Sequence, residues 1–253
     1  MPNMPISGND LARFSGPQTF MRLPQRNSAK GLNVGFIGVP MDIGTSWRSG
    51  TRMGPKQLRE QSAMIRPYNI QTGAAPFDAL ECADLGDVAI NTFSLSDTIR
   101  LITEAYDAHL KHDFVPMSLG GDHSMTLPIL RSMAKKHGPL ALVHVDAHAD
   151  VNDEMFGEKE THGTVFRRAY EEGLIVPEMV FQIGLRGTGY TADDFTEAAG
   201  WGFNQYLAPD LWHKSLTPLA AEIKAKIGNR KTYVSYDIDS LDPSFAPGTG
   251  TPE

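Results

Sequence analysis

Short apolar runs alternate along this chain with segments whose apolar residues recur every three or four positions. The runs are continuously apolar and rich in β-branched residues, which is typical of strands buried on both faces of a sheet. They cover residues 34–39, 114–119, 140–145, 179–185 and 232–238. Helical spacing is clearest at Leu95, Ile99, Ile102, Tyr106 and Leu110, and again at Leu219, Ile223 and Ile227.

Alternation of strands with helices predicts an α/β fold in which a parallel sheet is covered by helices on both sides. Residues 1–30 carry scattered Pro, Gly and Asn without a period, so we predict an N-terminal arm that packs on the body or on a neighbouring subunit. Residues 31–253 contain no repeat, low-complexity tract or linker, and we expect them to form one domain.

Composition and charge narrow the class of protein. The net charge of −7, from 23 basic and 30 acidic residues, argues against general binding to nucleic acid or to anionic membranes. Cys82 is the single cysteine, which excludes an internal disulfide and fits a reducing compartment. The sequence shows neither a signal peptide nor an apolar run of membrane-spanning length. A cytoplasmic enzyme is therefore expected.

Acidic residues and histidines cluster where predicted strands end. In an extended strand, side chains two residues apart point to the same face, so the pattern at 146, 148 and 150 predicts convergence. The pattern returns at 237 and 239, and a histidine follows the strand that ends near 119. The carboxyl ends of parallel strands meet at one edge of a sheet. The six candidate ligands are His123, Asp146, His148, Asp150, Asp237 and Asp239.

Four carboxylates and two imidazoles are enough to hold two divalent cations that share ligands. Without metal, so many acids in a dry cleft would be costly, because close like charges cannot all stay ionised. Ligation that is rich in oxygen and has few imidazoles favours a hard ion such as Mn²⁺ over Zn²⁺. His144 has the same parity as Asp146 but lies inside the strand, so we interpret it as a core histidine.

Three motifs resemble the signatures of the ureohydrolases, the arginase and agmatinase family. They are SLGGDH at 118–123, VDAHAD at 145–150 and SYDIDSLDP at 235–243. The segments GFIGVP at 35–40 and RSGTRMGP at 48–55 are similar to the opening of that family. Three further sequence segments resemble the agmatinase-like branch of the family, which includes guanidinobutyrase and guanidinopropionase. They are FMRLP at 20–24, MIRPY at 64–68 and DEMFG at 153–157.

The resemblance implies a three-layer α/β/α sandwich with two Mn²⁺ per subunit, assembled as a homotrimer or homohexamer. It implies cleavage of a guanidino compound, 4-guanidinobutyrate or agmatine, to urea and an amine by attack of a metal-bridging hydroxide. One ion would be held by His123, Asp146, Asp150 and Asp237, and the other by Asp146, His148, Asp237 and Asp239.

The resemblance also suggests roles beyond metal ligation. His162 matches the family position for proton shuttling, and Asp150 can accept a proton from the nucleophile and pass it on. Asn152 and Met155 lie in the segment that the family places near the substrate tail. The acidic residues between 152 and 160 favour a substrate with a cationic tail, such as agmatine. The segments that resemble the agmatinase-like branch favour a guanidino acid instead, and this is the interpretation we prefer.

The chain departs from the family after PGTGTPE at 247–253. Family members continue through at least one helix and one strand, which carries a glutamate that holds the guanidinium. We therefore expect the sequence to lack its C-terminal strand and helix, as a fragment would. Two alternative functions stay open. One is a non-catalytic metal-binding or assembly paralogue without the substrate clamp, and the other is a zinc deacetylase on a related fold.

Overall fold

The computed structural model describes residues 3–253, so the first two residues of the predicted arm lie outside the described part. The chain divides into two compact units. One contains the residues up to Ile43 together with Gly50–Gly121, and the other contains Gly44–Ser49 and Asp122–Glu253. Each unit is built on a parallel sheet, which confirms the predicted α/β class. Within residues 3–253, every helix falls short of the length and apolarity needed to cross a membrane.

The first unit holds a three-stranded sheet in the order β2-β1-β3, with parallel neighbours. Its elements are β1 (Val34–Val39), α1 (Gly54–Ser62), β2 (Cys82–Asp87), α2 (Leu95–His109) and β3 (Val115–Gly120). Ser94 caps α2 by accepting a hydrogen bond from the backbone N–H of Asp97, which satisfies one of the free donors of the first turn. The sheet packs into a core of Met21, Leu23, Phe36, Phe77, Cys82 and Leu119.

The N-terminal segment packs on the body of its own unit. The Arg22 guanidinium is buried and donates to the carbonyls of Ile6 and Leu11, so it ties the start of the chain to residue 22. The backbone N–H of Phe20 donates to the buried carboxylate of Asp84 on β2. These contacts provide hydrogen-bond partners for backbone groups of an irregular segment, which would otherwise bind water.

The second unit holds a four-stranded sheet in the order β6-β5-β4-β7, again with parallel neighbours. Its elements are α3 (Thr126–His137), β4 (Leu140–Val145), α4 (Val165–Glu171), β5 (Ile175–Leu185), α5 (Glu197–Gly200), β6 (Asn204–Leu207), α6 (Ala208–Leu211), α7 (Thr217–Ile227) and β7 (Thr232–Tyr236). β4 has a strand on each side, so both of its edges are paired, and four of its six residues are buried. The segments that follow β4 and β7 therefore start from fixed positions.

Candidate metal centre

The residues after β4 converge, but not as the continuation of a strand. β4 ends at Val145, and 146–148 form a bend, so the predicted extended geometry is wrong. The Asp146 carboxylate accepts the backbone N–H of His148 at 2.7 Å, which turns the chain immediately. Asp150 then adopts a left-handed conformation with φ of 52°, which aspartate tolerates better than most residues. The turn, rather than strand parity, brings these side chains together.

The first group of candidate ligands surrounds Nδ1 of His123. Oxygens of three carboxylates lie near this atom: Oδ2 of Asp150 at 2.7 Å, Oδ2 of Asp146 at 3.3 Å and Oδ2 of Asp237 at 3.5 Å. His123 is the first residue of a short 3-10 turn. The side chain of Asp122, the preceding residue, caps this turn. The other ring nitrogen, Nε2, lies 2.7 Å from the hydroxyl of Ser235 on β7.

The second group lies on the other side of the Asp146 carboxylate. Nδ1 of His148 is 3.5 Å from Oδ1 of Asp146 and 3.1 Å from Oδ2 of Asp239. Asp146 thus takes part in both groups, with one oxygen in each. Asp239 is buried because the turn after β7 folds it inward, where its Oδ1 accepts the backbone N–H of Ala147.

Asp237 is the most peripheral of the six predicted ligands. Its Oδ2 faces His123, but its Oδ1 accepts the backbone N–H of Asp239 and so caps the turn after β7. It lies in neither tight cluster of ligand atoms, one formed by His123, His144, Asp146 and Asp150 and the other by Asp146, His148 and Asp239. The structure thus brings together five of the six predicted ligands closely and places the sixth at their edge.

Charge in this centre is balanced between carboxylates and imidazoles. Burial lowers the pKa of His123, but the adjacent carboxylates of Asp146 and Asp150 outweigh burial and raise that pKa well above its ordinary value. Burial also opposes charge on His148, yet Asp146 and Asp239 raise its pKa to about 11. Burial and the charge of Asp146 raise the pKa of Asp237 to about 6. Protons on the imidazoles therefore supply the positive charge that the acids require.

His144 belongs to the same neighbourhood but has both ring nitrogens engaged. Its Nε2 lies 2.7 Å from Oδ2 of Asp146, and its Nδ1 lies 3.2 Å from Nε2 of Gln182. Gln182 is fully buried on β5 and also donates to the carbonyl of Ala149 at 2.6 Å. This pairing agrees with the interpretation of His144 as a core histidine that orients the Asp146 carboxylate.

Phe166 closes the centre on its inner side. The ring lies 4.2 Å from the ring of His144 and 5.3 Å, edge-on, from the ring of His123, measured between centroids. It is fully buried and belongs to the hydrophobic core that α3, α4, β4 and β5 form. The candidate ligands therefore rest directly on the core of the second unit.

Both groups fit divalent cations. Nδ1 of His123 is buried and has no hydrogen-bond partner among the described residues, although three carboxylates surround it. Adjacent ligands of an octahedral ion with bonds of about 2.1 Å lie about 3 Å apart, which matches the separations found here. A donor set of carboxylates and a few imidazoles is suited to Mn²⁺. The chain can thus hold metal in each group, with Asp146 shared.

A cavity of about 370 Å³ opens next to this centre. His148 and Asp150 line it together with His162, Asn152 and Met155, so the predicted catalytic and substrate-binding residues share one space. Gly163 makes this possible, because a side chain there would overlap the sulfur of Met155 and crowd the amide of Asn152. The structure therefore places two of the predicted metal ligands, His148 and Asp150, in one cavity with the predicted proton-transfer and substrate residues.

The four acids of the loop after the centre do not line this cavity, and two of them are paired with arginines. Asp153 accepts from Arg168 at 2.7 Å, and Glu160 accepts from Arg131 at 2.6 Å. Asp194, which does line the cavity, accepts the backbone N–H groups of Tyr190 and Thr191, just before its short 3-10 turn. The acidic sequence of the loop is thus no indication of a cation-binding wall.

Arg186, at the end of β5, stabilises the turn that carries Asp239. Its guanidinium donates to the carbonyls of Asp239 at 2.6 Å, Ser240 at 3.1 Å and Leu241 at 3.1 Å. Nothing in the sequence near residue 186 indicates these partners, which lie more than 50 positions away. The contact fixes the backbone of one candidate ligand.

Residues 32–253 match the arginase family. The chain is 58% identical to a guanidinobutyrase of Pseudomonas aeruginosa, over 99% of this chain and 80% of that protein. It is 50% identical to the mitochondrial guanidino acid hydrolase of Homo sapiens, over 99% of this chain and 71% of that protein. Among solved structures, it is similar to the proclavaminate amidino hydrolase of Streptomyces clavuligerus, with a TM-score of 0.89 and 40% identity over 95% of this chain and 80% of that one.

Proposed function

The chain belongs to the arginase family and is a hydrolase of guanidino compounds, and we propose that it uses two manganese ions to cleave 4-guanidinobutyrate to urea and 4-aminobutyrate. The observation that carries the proposal is the pair of ligand groups that share Asp146 beside a cavity of about 370 Å³. We further propose that the enzyme works in the cytoplasm as a homotrimer or homohexamer.

The six candidate ligands would bind the two ions in two overlapping sets. His123, Asp146, Asp150 and Asp237 would hold one ion, while Asp146, Asp237, His148 and Asp239 would hold the other. When bound, the ions lower the pKa of water and so make a nucleophile available at neutral pH. This matters because a guanidinium carbon, whose charge is delocalised over three nitrogens, is a poor electrophile.

Two side chains of the cavity then move protons. Asp150 accepts the proton that the attacking water loses. His162 donates a proton to the amine nitrogen as its bond to the guanidino carbon breaks, a role that the N–H group of an imidazole ring can fill. Asn152 and Met155 contact the aliphatic and polar parts of the substrate tail, with the Asn152 amide able to donate to a carboxylate.

Two observations favour a guanidino acid over agmatine. Of the loop acids that suggest a cationic tail, Glu160 and Asp153 are paired with Arg131 and Arg168, and none of the four lines the cavity. The guanidinobutyrase relative shares 58% of its residues with this chain, while an agmatinase of Gallus gallus shares 50%. Agmatine is therefore the second candidate substrate.

Urea release tests the proposal directly. Mn²⁺-loaded protein is assayed with 4-guanidinobutyrate, 3-guanidinopropionate, agmatine and arginine. We expect kcat/KM for 4-guanidinobutyrate to exceed that for agmatine by at least about tenfold, because a mispaired charged tail costs more than 1.4 kcal/mol. A reversed preference would assign agmatine as the substrate. Absence of urea from every compound would favour the non-catalytic metal-binding alternative, and metal analysis showing one zinc ion would favour the deacetylase.

Replacement of His162 by alanine is expected to separate metal binding from turnover. The variant should keep both manganese ions and lose about 100- to 1,000-fold in kcat, since general acid catalysis contributes on this scale. His213→Asn, at an exposed histidine, serves as the control and should retain wild-type kcat. Unchanged turnover of His162→Ala with full metal content, measured by elemental analysis, would contradict the proton-transfer role.

A further inference from the structure

The segment Gly44–Ser49 lies against the His162 turn. Oγ of Ser46 is 2.7 Å from Nε2 of His162, and the backbone N–H of His162 donates to the carbonyl of Gly44 at 3.3 Å. Ser46 is exposed and His162 half-buried, and both line the cavity. Residue 162 is therefore fixed both at its backbone and at its ring by a segment more than 110 positions earlier in the sequence.

This segment is itself anchored beside the metal centre. The backbone N–H of Gly44 donates to Oδ2 of Asp122 at 3.0 Å, while Oδ1 of the same buried carboxylate accepts the N–H and hydroxyl of Ser124. A side chain at position 44 would overlap the Ser124 hydroxyl, so the approach requires glycine. Asp122 thus holds two elements at once, the turn that begins with His123 and the segment that carries Ser46.

A second anchor lies on the other side of Ser46. The backbone N–H of Arg48 donates to the carbonyl of Gly250 at 3.3 Å, and its guanidinium donates to the carbonyl of Pro247 at 3.2 Å. With anchors at Gly44 and at Arg48, the position of the Ser46 backbone is independent of its own hydroxyl. Removal of that hydroxyl therefore changes one hydrogen bond and leaves the segment in place.

We propose that Ser46 is a positioning residue for His162: its hydroxyl binds Nε2 and fixes the orientation and tautomer of the ring, which leaves Nδ1 to exchange the proton with the guanidino substrate. This inference rests on the proposed function of His162. A neutral imidazole carries its one proton on either nitrogen, and the hydrogen bond at one nitrogen determines which. Without Ser46, the ring would divide between tautomers and orientations, and only part of the population would be competent.

Ser46→Ala and Ser46→Thr test the proposal together, with Ser49→Ala as a matched control in the same segment. We expect Ser46→Ala to lower kcat by about tenfold, the scale on which partners of catalytic groups act, and to leave KM within about twofold. Ser46→Thr, which keeps the hydroxyl, should restore most of kcat. Ser49→Ala should match the wild type in both constants.

The second measurement does not depend on activity. Nitrogen-15 spectra of histidine-labelled protein, with diamagnetic Mg²⁺ in place of Mn²⁺, report the tautomer of His162, which is assigned by its absence in His162→Ala. The wild type should show one dominant tautomer with the proton on Nδ1, and Ser46→Ala a mixture. Identical spectra for both proteins would overturn the proposal, as would a loss of kcat in Ser46→Thr equal to that in Ser46→Ala. If the wild type released no urea at all, the proposed function would fail, while the spectra would still decide whether Ser46 positions the ring.

Discussion

Asp146→Asn is expected to deprive the protein of both metal ions and to lower kcat/KM by at least about 1,000-fold, because changes to mere partners of metal ligands already cost 10- to 100-fold. The reason is geometric. Oδ2 of Asp146 faces His123, and Oδ1 faces His148, so this carboxylate is shared by the two ligand groups. Asparagine replaces one of these oxygens with an NH₂ group and removes the negative charge, so both groups are damaged by one substitution.

The measurements for Asp146→Asn are elemental analysis after Mn²⁺ incubation, urea release, and circular dichroism to confirm folding. Asp242→Asn is the control, because this carboxylate is exposed in the next turn and accepts from Ser244 rather than facing the centre. The control should bind two ions and keep its activity. A folded Asp146→Asn protein that still bound two manganese ions per chain would contradict the shared-ligand arrangement.

Binding of manganese should release about two protons per chain, so that apparent affinity falls about 100-fold for each unit by which pH decreases. The sign follows from the imidazoles. In the metal-free protein the neighbouring carboxylates raise the pKa of His123 well above its ordinary value and that of His148 to about 11, despite burial. Both rings are therefore protonated at neutral pH, and a metal must displace a proton from each. Below about pH 6, protonation of Asp237 adds a third competitor.

Calorimetry in buffers of different ionisation enthalpy measures the number of protons released. His148→Asn should release about one proton fewer than the wild type, because asparagine carries no titratable proton. His213→Asn, at an exposed histidine outside the centre, should release the wild-type number. A binding enthalpy that is the same in every buffer would show that the imidazoles are unprotonated before metal arrives.

Much of the centre could be predicted from sequence because its chemistry is local. Acids and histidines two residues apart at the end of a buried strand are rare by chance, and the ends of β4 and β7 lie side by side because those strands pair. The assumed strand geometry was wrong, since the Asp146 carboxylate turns the chain at once and Asp150 is left-handed. The side chains converge because of their own hydrogen bonds.

Other parts of the fold gave no local signal. β2 was not predicted, because its run CADLGD contains two acids; both pair with Arg59, and Asp84 is buried. α3 was not predicted because Pro128 usually interrupts a helix. Here it lies in the first turn, where a helix tolerates proline. The contact of Ser46 with His162 joins distant segments, so no window of sequence contains it. Long-range partners of this kind require the folded chain.

Phe166 contacts His123 and His144 and also belongs to the hydrophobic core, so a substitution there is expected to affect both the free energy of unfolding and the candidate metal centre. Truncation of a buried phenylalanine leaves a void that neighbouring side chains move to fill, and here two of those neighbours are His123 and His144. Directed evolution toward a more robust biocatalyst would therefore find little freedom at this ring. Improvements would come instead from exposed positions such as Phe93 or Ile70, where substitutions leave His123 and His144 undisturbed.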